Sequence, residues 1–202
     1  MTLTQQSAPY AHWDFVHPSS GDQLRIIPER GGLVSGWCCG GREILYFDQE
    51  RYADPTKSIR GGIPVLFPIC GNLPGDVLPV DGVEYPLKQH GFARDLPWQL
   101  QLLEDQSGVR LTLSSTDETL KAYPFPFRLE MELRPVASAL EISTTVHNCG
   151  DAAMPFSFGL HPYFNVSDLA QTRLTGLAER CLNHLEMAEA ATADQLKRLS
   201  EG

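Results

Sequence analysis

The sequence predicts an all-β fold, a large antiparallel β-sandwich, from alternating residue polarity, closely spaced strand-like segments and abundant turn residues. Alternation is clearest in Phe127-Arg128-Leu129-Glu130-Met131-Glu132-Leu133-Arg134, where apolar and charged residues take turns, so one face meets a core and the other meets water. The 202 residues include 17 Gly and 15 Pro, more than ordinary usage, and that composition demands many turns.

Along the chain, Trp13 to Val16, Gln23 to Ile27, Leu33 to Cys38 and Glu43 to Phe47 are short strand candidates, each stopped by Gly, Pro or Asp. Trp98, Leu100 and Leu102 alternate inward in the next candidate, and Val109, Leu111 and Leu113 in the segment from Val109 to Ser114. After the strand at Phe127, Leu140, Ile142 and Val146 repeat the pattern, and Met154 to Phe158 is the last candidate. Helix is scarce. Asp117 to Ala122 suits one turn, and Thr192-Ala193-Asp194-Gln195 reads as a capping box opening a short helix through Leu199. No fixed-period repeat or low-complexity tract divides the chain, so a single domain is the economical reading. Ser200-Glu201-Gly202 follows that last helix with no closing strand. An open sandwich edge calls either for a covering partner or for the rest of a larger fold.

Composition narrows the function. With 42% apolar and 20% charged residues the chain can bury a substantial core. Its 16 Lys and Arg stand against 25 Asp and Glu, a net charge of −9, with no basic run or basic aromatic stripe, which argues against nucleic acid as a partner. No apolar run is long enough to span a bilayer, and Met1 to Tyr10 is polar without a charged and then apolar leader, so the expected compartment is the cytoplasm, away from membranes. The five Cys include the neighbours Cys38 and Cys39, which point to opposite faces of a strand, and no CxxC or paired Cys/His spacing occurs. Buried free thiols, rather than a disulfide framework or a zinc site, are expected.

Three strings break the alternation. RGGIPVLFPICGNLPGD, from Arg60 to Asp76, has the Gly and Pro content of a fixed backbone, with Arg60 at its mouth. KQHGFARDL, from Lys88 to Leu96, sets His90 before Gly91 and Arg94 four residues on, in expected loop-to-strand geometry. FGLHPYF, from Phe158 to Phe164, puts His161 at a strand end. Each has a plainer alternative: a His beside Gly or Pro is often a satisfied turn residue, and Arg60 or Arg94 an ordinary surface ion pair. His12, His17, His147 and His184 have no comparable setting.

Taken together, RGGIPVLFPICGNLPGD, HGFARDLPW and FGLHPYFNV, in this order and at this separation, resemble the aldose 1-epimerase (galactose mutarotase) superfamily. The closer resemblance is to its hexose-6-phosphate branch, the glucose-6-phosphate 1-epimerase-like proteins, and it runs from Trp13 to Leu185. It implies one mutarotase-like β-sandwich domain over residues 1–202, truncated before its last strands. The implied activity is interconversion of the α and β anomers of a hexose or hexose 6-phosphate. His90 and His161 match the active-site histidines, Arg60 the substrate-binding arginine, and Arg94 is a phosphate or hydroxyl ligand. The partner is a small sugar or sugar phosphate, and no metal or organic cofactor is needed. The family's general-base glutamate belongs to a C-terminal segment without a counterpart here, so no Glu of this chain takes that role.

Anomerisation opens the ring: a base takes the C1 hydroxyl proton while an acid protonates the ring oxygen. Histidine titrates near neutrality and suits the acid, here His161, with His90 steadying developing charge and Arg60 orienting hydroxyls or a phosphate through its planar fork. Two alternatives stand beside this. A non-catalytic sugar-binding sandwich would use exposed aromatics among Trp37, Tyr46, Tyr52, Tyr85, Trp98, Tyr123 and Tyr163, and an inactive fragment would lack the base altogether. Charge does not choose between free and phosphorylated sugars: between Asp54 and Asp95, Lys57, Arg60, Lys88 and Arg94 face Asp54, Asp76, Asp81, Glu84 and Asp95.

Overall fold

The computed structural model describes residues 3–183, 186 and 188–193. Two compact units divide the chain, Met1–Phe164 and Asn165–Gly202. The first opens with a meander of antiparallel strands in chain order: β1 (Leu3–Gln6), β2 (His12–Val16), β3 (Gln23–Ile27), β4 (Leu33–Cys39) and β5 (Arg42–Glu43). A short helix α1 (Gln49–Tyr52), the strand β6 (Val65–Leu66) and a hairpin of β7 (Val77–Val80) and β8 (Val83–Pro86) lead to a second sheet. That sheet holds β9 (Gln99–Leu102), β10 (Val109–Ser114), β11 (Phe127–Val136) and β12 (Ala139–Asn148), with α2 (Asp117–Ala122) between β10 and β11. β13 (Gly159–Leu160) returns to pair antiparallel with β6. The second unit contains a hairpin of β14 (Arg180–Asn183) and β15 (Ala188–Ala191).

The alternation in β11 sets the register of its sheet. Phe127, Leu129, Met131 and Leu133 are buried, and Leu111 and Leu113 of β10 stand opposite Met131 and Leu129. A slip of one residue would turn this whole apolar set to water. On the other face Glu132 accepts hydrogen bonds from Arg110 and Arg134, and Arg128 pairs with Glu130 at 2.9 Å. Phe15, Leu24, Ile26 and Val34 of the first sheet join Val109, Leu111, Leu129 and Met131 of the second in one hydrophobic core. Two sheets with a shared core between them are the expected sandwich arrangement.

Several segments differ from their sequence pattern. Met154 to Phe158 is not a strand: Pro155 has no N–H for a ladder, its carbonyl accepts the Tyr123 hydroxyl at 2.8 Å, and the Ser157 N–H donates to the Pro68 carbonyl at 2.8 Å. Of Glu43 to Phe47, Glu43 ends β5, while Leu45 and Phe47 make single bridges to Phe164 and Gly61. The β7–β8 hairpin has no alternating signature, yet its turn Asp81-Gly82, at φ 49° and 81°, is the two-residue sequence that favours a hairpin. The helix α2 lies where it is expected, with Thr116 and Thr119 capping it reciprocally. Residues 194–199 of the second expected helix, and His184, lie outside the described residues.

One close approach binds the loops to this frame. Gly91 lies at φ 68°, and a Cβ there would sit 2.3 Å from the carbonyl oxygen of Phe67. Gly82 is also left-handed, but nothing lies within 4 Å of its would-be Cβ. Gly91→Ala is therefore expected to cost about 2–4 kcal/mol of stability and Gly82→Ala about 1 kcal/mol, read from urea unfolding midpoints. Equal losses would contradict the close approach.

Candidate active site

The proline-rich segment 60–71 lies between the other two unusual strings and pairs with both. On one side β6 pairs with β13, and the His161 N–H donates to the Pro64 carbonyl at 3.0 Å, which delivers His161 directly after the strand. On the other side the Phe67 carbonyl accepts the N–H groups of Phe92 and Ala93 at 3.0 and 3.1 Å, over the glycine that lets the backbones meet. The Phe67 side chain, fully buried, anchors the segment among the rings of Phe92, Tyr123, Phe127 and Phe156. Behind Arg60, Gly61 bridges to Phe47, and Ile63 bridges to Val34 of β4. Backbone pairing, rather than side-chain alternation, fixes these loops.

His90 is held at three points. Its backbone is left-handed, at φ 66°; its N–H donates to the Gly71 carbonyl at 2.8 Å; and the Gly71 N–H donates back to its Nδ1 at 2.9 Å. A ring nitrogen that accepts from a peptide N–H carries no proton, so neutral His90 bears its hydrogen on Nε2. After it the chain makes a 3-10 turn, Ala93–Asp95, before β9 begins at Gln99. The Trp98 indole N–H locks that turn by donating to the Ala93 carbonyl at 2.9 Å.

Arg60, His90, Arg94 and His161 all line one cavity of about 490 Å³, within the size range of small-molecule sites. The His90 and His161 rings are edge to face, with centroids 6.5 Å apart. Tyr163 ties the group together: its ring lies 5.0 Å from that of His161, and its hydroxyl accepts from Arg60 Nη1 at 3.4 Å. The sequence singled out Tyr163 only as one aromatic among several. Its position two residues after His161 at a strand end was the available signal, because residues i and i+2 of an extended chain share a side. Ser58 and Ile59 also line the cavity and carried no motif, and Gln89, next to His90 in KQHGFARDL, lines it too.

Arg94 is partly committed elsewhere, with Nη2 donating to the Gln89 carbonyl at 3.0 Å and Nε 3.9 Å from Asp95. Asp95, 72% exposed, is the acidic group among the described lining residues. Among the described residues no cluster of three or more His, Cys, Asp or Glu could hold a metal ion. No described helix is long and apolar enough to cross a membrane. Of the aromatics suited to a sugar platform, Trp98 and Tyr123 are buried in the core, while Tyr46 is exposed.

The sequence profile described as aldose 1-epimerase matches residues 24–198. The chain belongs to the aldose 1-epimerase family. Among curated relatives, a protein of Cenchrus ciliaris named "Putative glucose-6-phosphate 1-epimerase" is 35% identical over 73% of this chain and 45% of its own length. One of the same name from Escherichia coli strain K12 is 34% identical over 78% of this chain and 50% of its own. The chain thus spans about half the length of the curated relatives it matches. Among solved structures, the Slr1438 protein of Synechocystis sp. PCC 6803 superposes with a TM-score of 0.82 at 41% identity, covering 95% of this chain and 65% of that one. A galactose mutarotase-like protein from Lactobacillus casei ATCC 334 gives a TM-score of 0.66 at 29% identity, over 77% of this chain and 51% of the other. The fold is the mutarotase-like antiparallel sandwich, and the kinship lies in the glucose-6-phosphate 1-epimerase branch.

The geometry of His90 has a direct spectroscopic consequence. Nitrogen-15 spectra of the imidazoles are expected to show neutral His90 as the Nε2–H form, with an unprotonated Nδ1. An Nδ1–H form would contradict the pairing with Gly71.

Proposed function

We propose that this protein acts in the interconversion of α and β anomers of a hexose 6-phosphate, with its cavity supplying the acid and the substrate-binding groups. One observation carries the reading: four residues from three separate strings, Arg60, His90, Arg94 and His161, converge on a single cavity. In this account His161 protonates the ring oxygen as the ring opens. His90, its Nε2–H fixed by the Gly71 bond, donates to the same region as negative charge develops there. Arg60 orients the sugar, and its contact with the Tyr163 hydroxyl limits where its fork can point. No step calls for a metal or an organic cofactor.

The preference for a phosphorylated sugar rests on charge placement. Along residues 54–95 acidic groups slightly outnumber basic ones, but the folded chain sorts them. Arg60 and Arg94 line the cavity, whereas Asp54, Asp76, Asp81 and Glu84 do not, and Asp54 is paired with Lys57 at 3.2 Å. A wall with two guanidiniums, two imidazoles and one carboxylate suits an anionic ligand.

The general base is the role these residues leave open, since Asp95 is exposed and lies beside Arg94. Concerted acid–base catalysis is worth about 10²- to 10⁴-fold, so binding and turnover separate in this chain. Saturation-transfer NMR of glucose 6-phosphate and of glucose reads both. Glucose 6-phosphate signals are expected to broaden with the chain, more than those of glucose, and the broadening to be reduced, though still measurable, in Arg60→Ala. Any acceleration of anomer exchange is expected to vanish in His161→Ala. Unbroadened glucose 6-phosphate signals would overturn the proposed ligand, and accelerated exchange surviving His161→Ala would overturn the acid assignment.

A further inference from the structure

Residues 48–60 form a loop whose ends meet, because the Asp48 N–H donates to the Arg60 carbonyl at 2.9 Å. Inside it, Asp48 caps α1 by accepting the Arg51 N–H at 2.9 Å, and Arg51 Nε donates to the Ser58 carbonyl at 2.8 Å. From outside, Arg30 reaches both limbs. Its Nη1 donates to the Tyr52 carbonyl at 3.0 Å, its Nη2 donates to the Lys57 carbonyl at 2.8 Å, and its guanidinium lies 5.0 Å from the Tyr52 ring centroid. Ser58 and Ile59 follow Lys57 and, with Arg60, form one wall of the cavity.

Arg30 is itself fixed to another part of the cavity lining. Its neighbour Gly31 lines the cavity, donates its N–H to the Leu96 carbonyl at 2.8 Å, and packs so closely that a Cβ would sit 2.2 Å from the Arg94 carbonyl oxygen. Arg30 is not among the lining residues. A planar fork holds two carbonyls on separate nitrogens while its flat face rests on a ring, a geometry that a single ammonium nitrogen does not reproduce.

We propose that Arg30 is a positioning residue for sugar binding: it clamps the 48–60 loop onto the Gly31 and Arg94 wall and so sets the aim of Arg60. This rests on the reading of Arg60 as a ligand-binding group. Without the clamp the loop must be ordered when ligand binds, an expense that appears as lost affinity.

The test is a double-mutant cycle on the affinity for glucose 6-phosphate, measured by calorimetric titration, with urea unfolding as the check on folding. Arg30→Gln is expected to weaken binding about threefold to tenfold in the natural background and not at all in the Arg60→Ala background. Arg30→Lys, which keeps the charge but loses the fork, is expected to stay weakened, and it carries the same cycle where Arg30→Gln does not fold. Equal weakening in both backgrounds overturns the proposal, as does full affinity in Arg30→Gln while Arg60→Ala binds poorly. Unchanged affinity in Arg60→Ala overturns the reading of Arg60 itself, and this proposal with it.

Discussion

The site depends on one backbone crossing, in which the Phe67 carbonyl meets the chain at Gly91, Phe92 and Ala93. It joins two loops that alternation alone would not bring together. A side chain at Gly91 would drive the crossing apart, and loss of the Phe67 anchor would release it from the core. The same segment pairs through β6 with β13, so His90 and His161 flank one common strip of backbone. Their ring separation of 6.5 Å is a product of main-chain hydrogen bonding more than of contacts between the rings.

This division of labour leaves the polar groups of the cavity fixed in place by the main chain. The two sheets and their shared core make a rigid frame, and the loops carry the polar groups on it. The loop bearing Arg60 is closed on itself and clamped from outside, and the imidazole of His90 is fixed in one tautomer by Gly71. Preorganisation of this kind lets donors meet developing charge without rearrangement. The two arginines on the cavity wall make the local charge opposite in sense to that of the protein as a whole, whose net charge is −9.

Much of the frame was legible because a half-buried strand writes its burial into the sequence. Phe127, Leu129, Met131 and Leu133 alternate with charged residues and are the residues that pack inward, and Gln23–Ile27 and Val109–Ser114 are strands at the expected bounds. Met154 to Phe158 misleads because apolar residues there pack in a loop whose Pro155 offers no ladder N–H. The convergence of Arg60, His90, Arg94 and His161 was legible only through the family resemblance, since no spacing rule relates positions so far apart. Ser58 and the clamp by Arg30 left no such trace, and Tyr163 left only its place two residues after His161. Their parts arise from carbonyl hydrogen bonds and tertiary contacts, which composition does not encode.

The central proposal is that His90 and His161 face the same edge of a bound sugar from one side of the cavity. It is tested most directly by intermolecular nuclear Overhauser effects from the imidazole protons of His90 and His161 to glucose 6-phosphate. The account predicts that both rings show effects to the anomeric edge of the sugar. Effects confined to an exposed aromatic such as Tyr46, with neither imidazole involved, would contradict it.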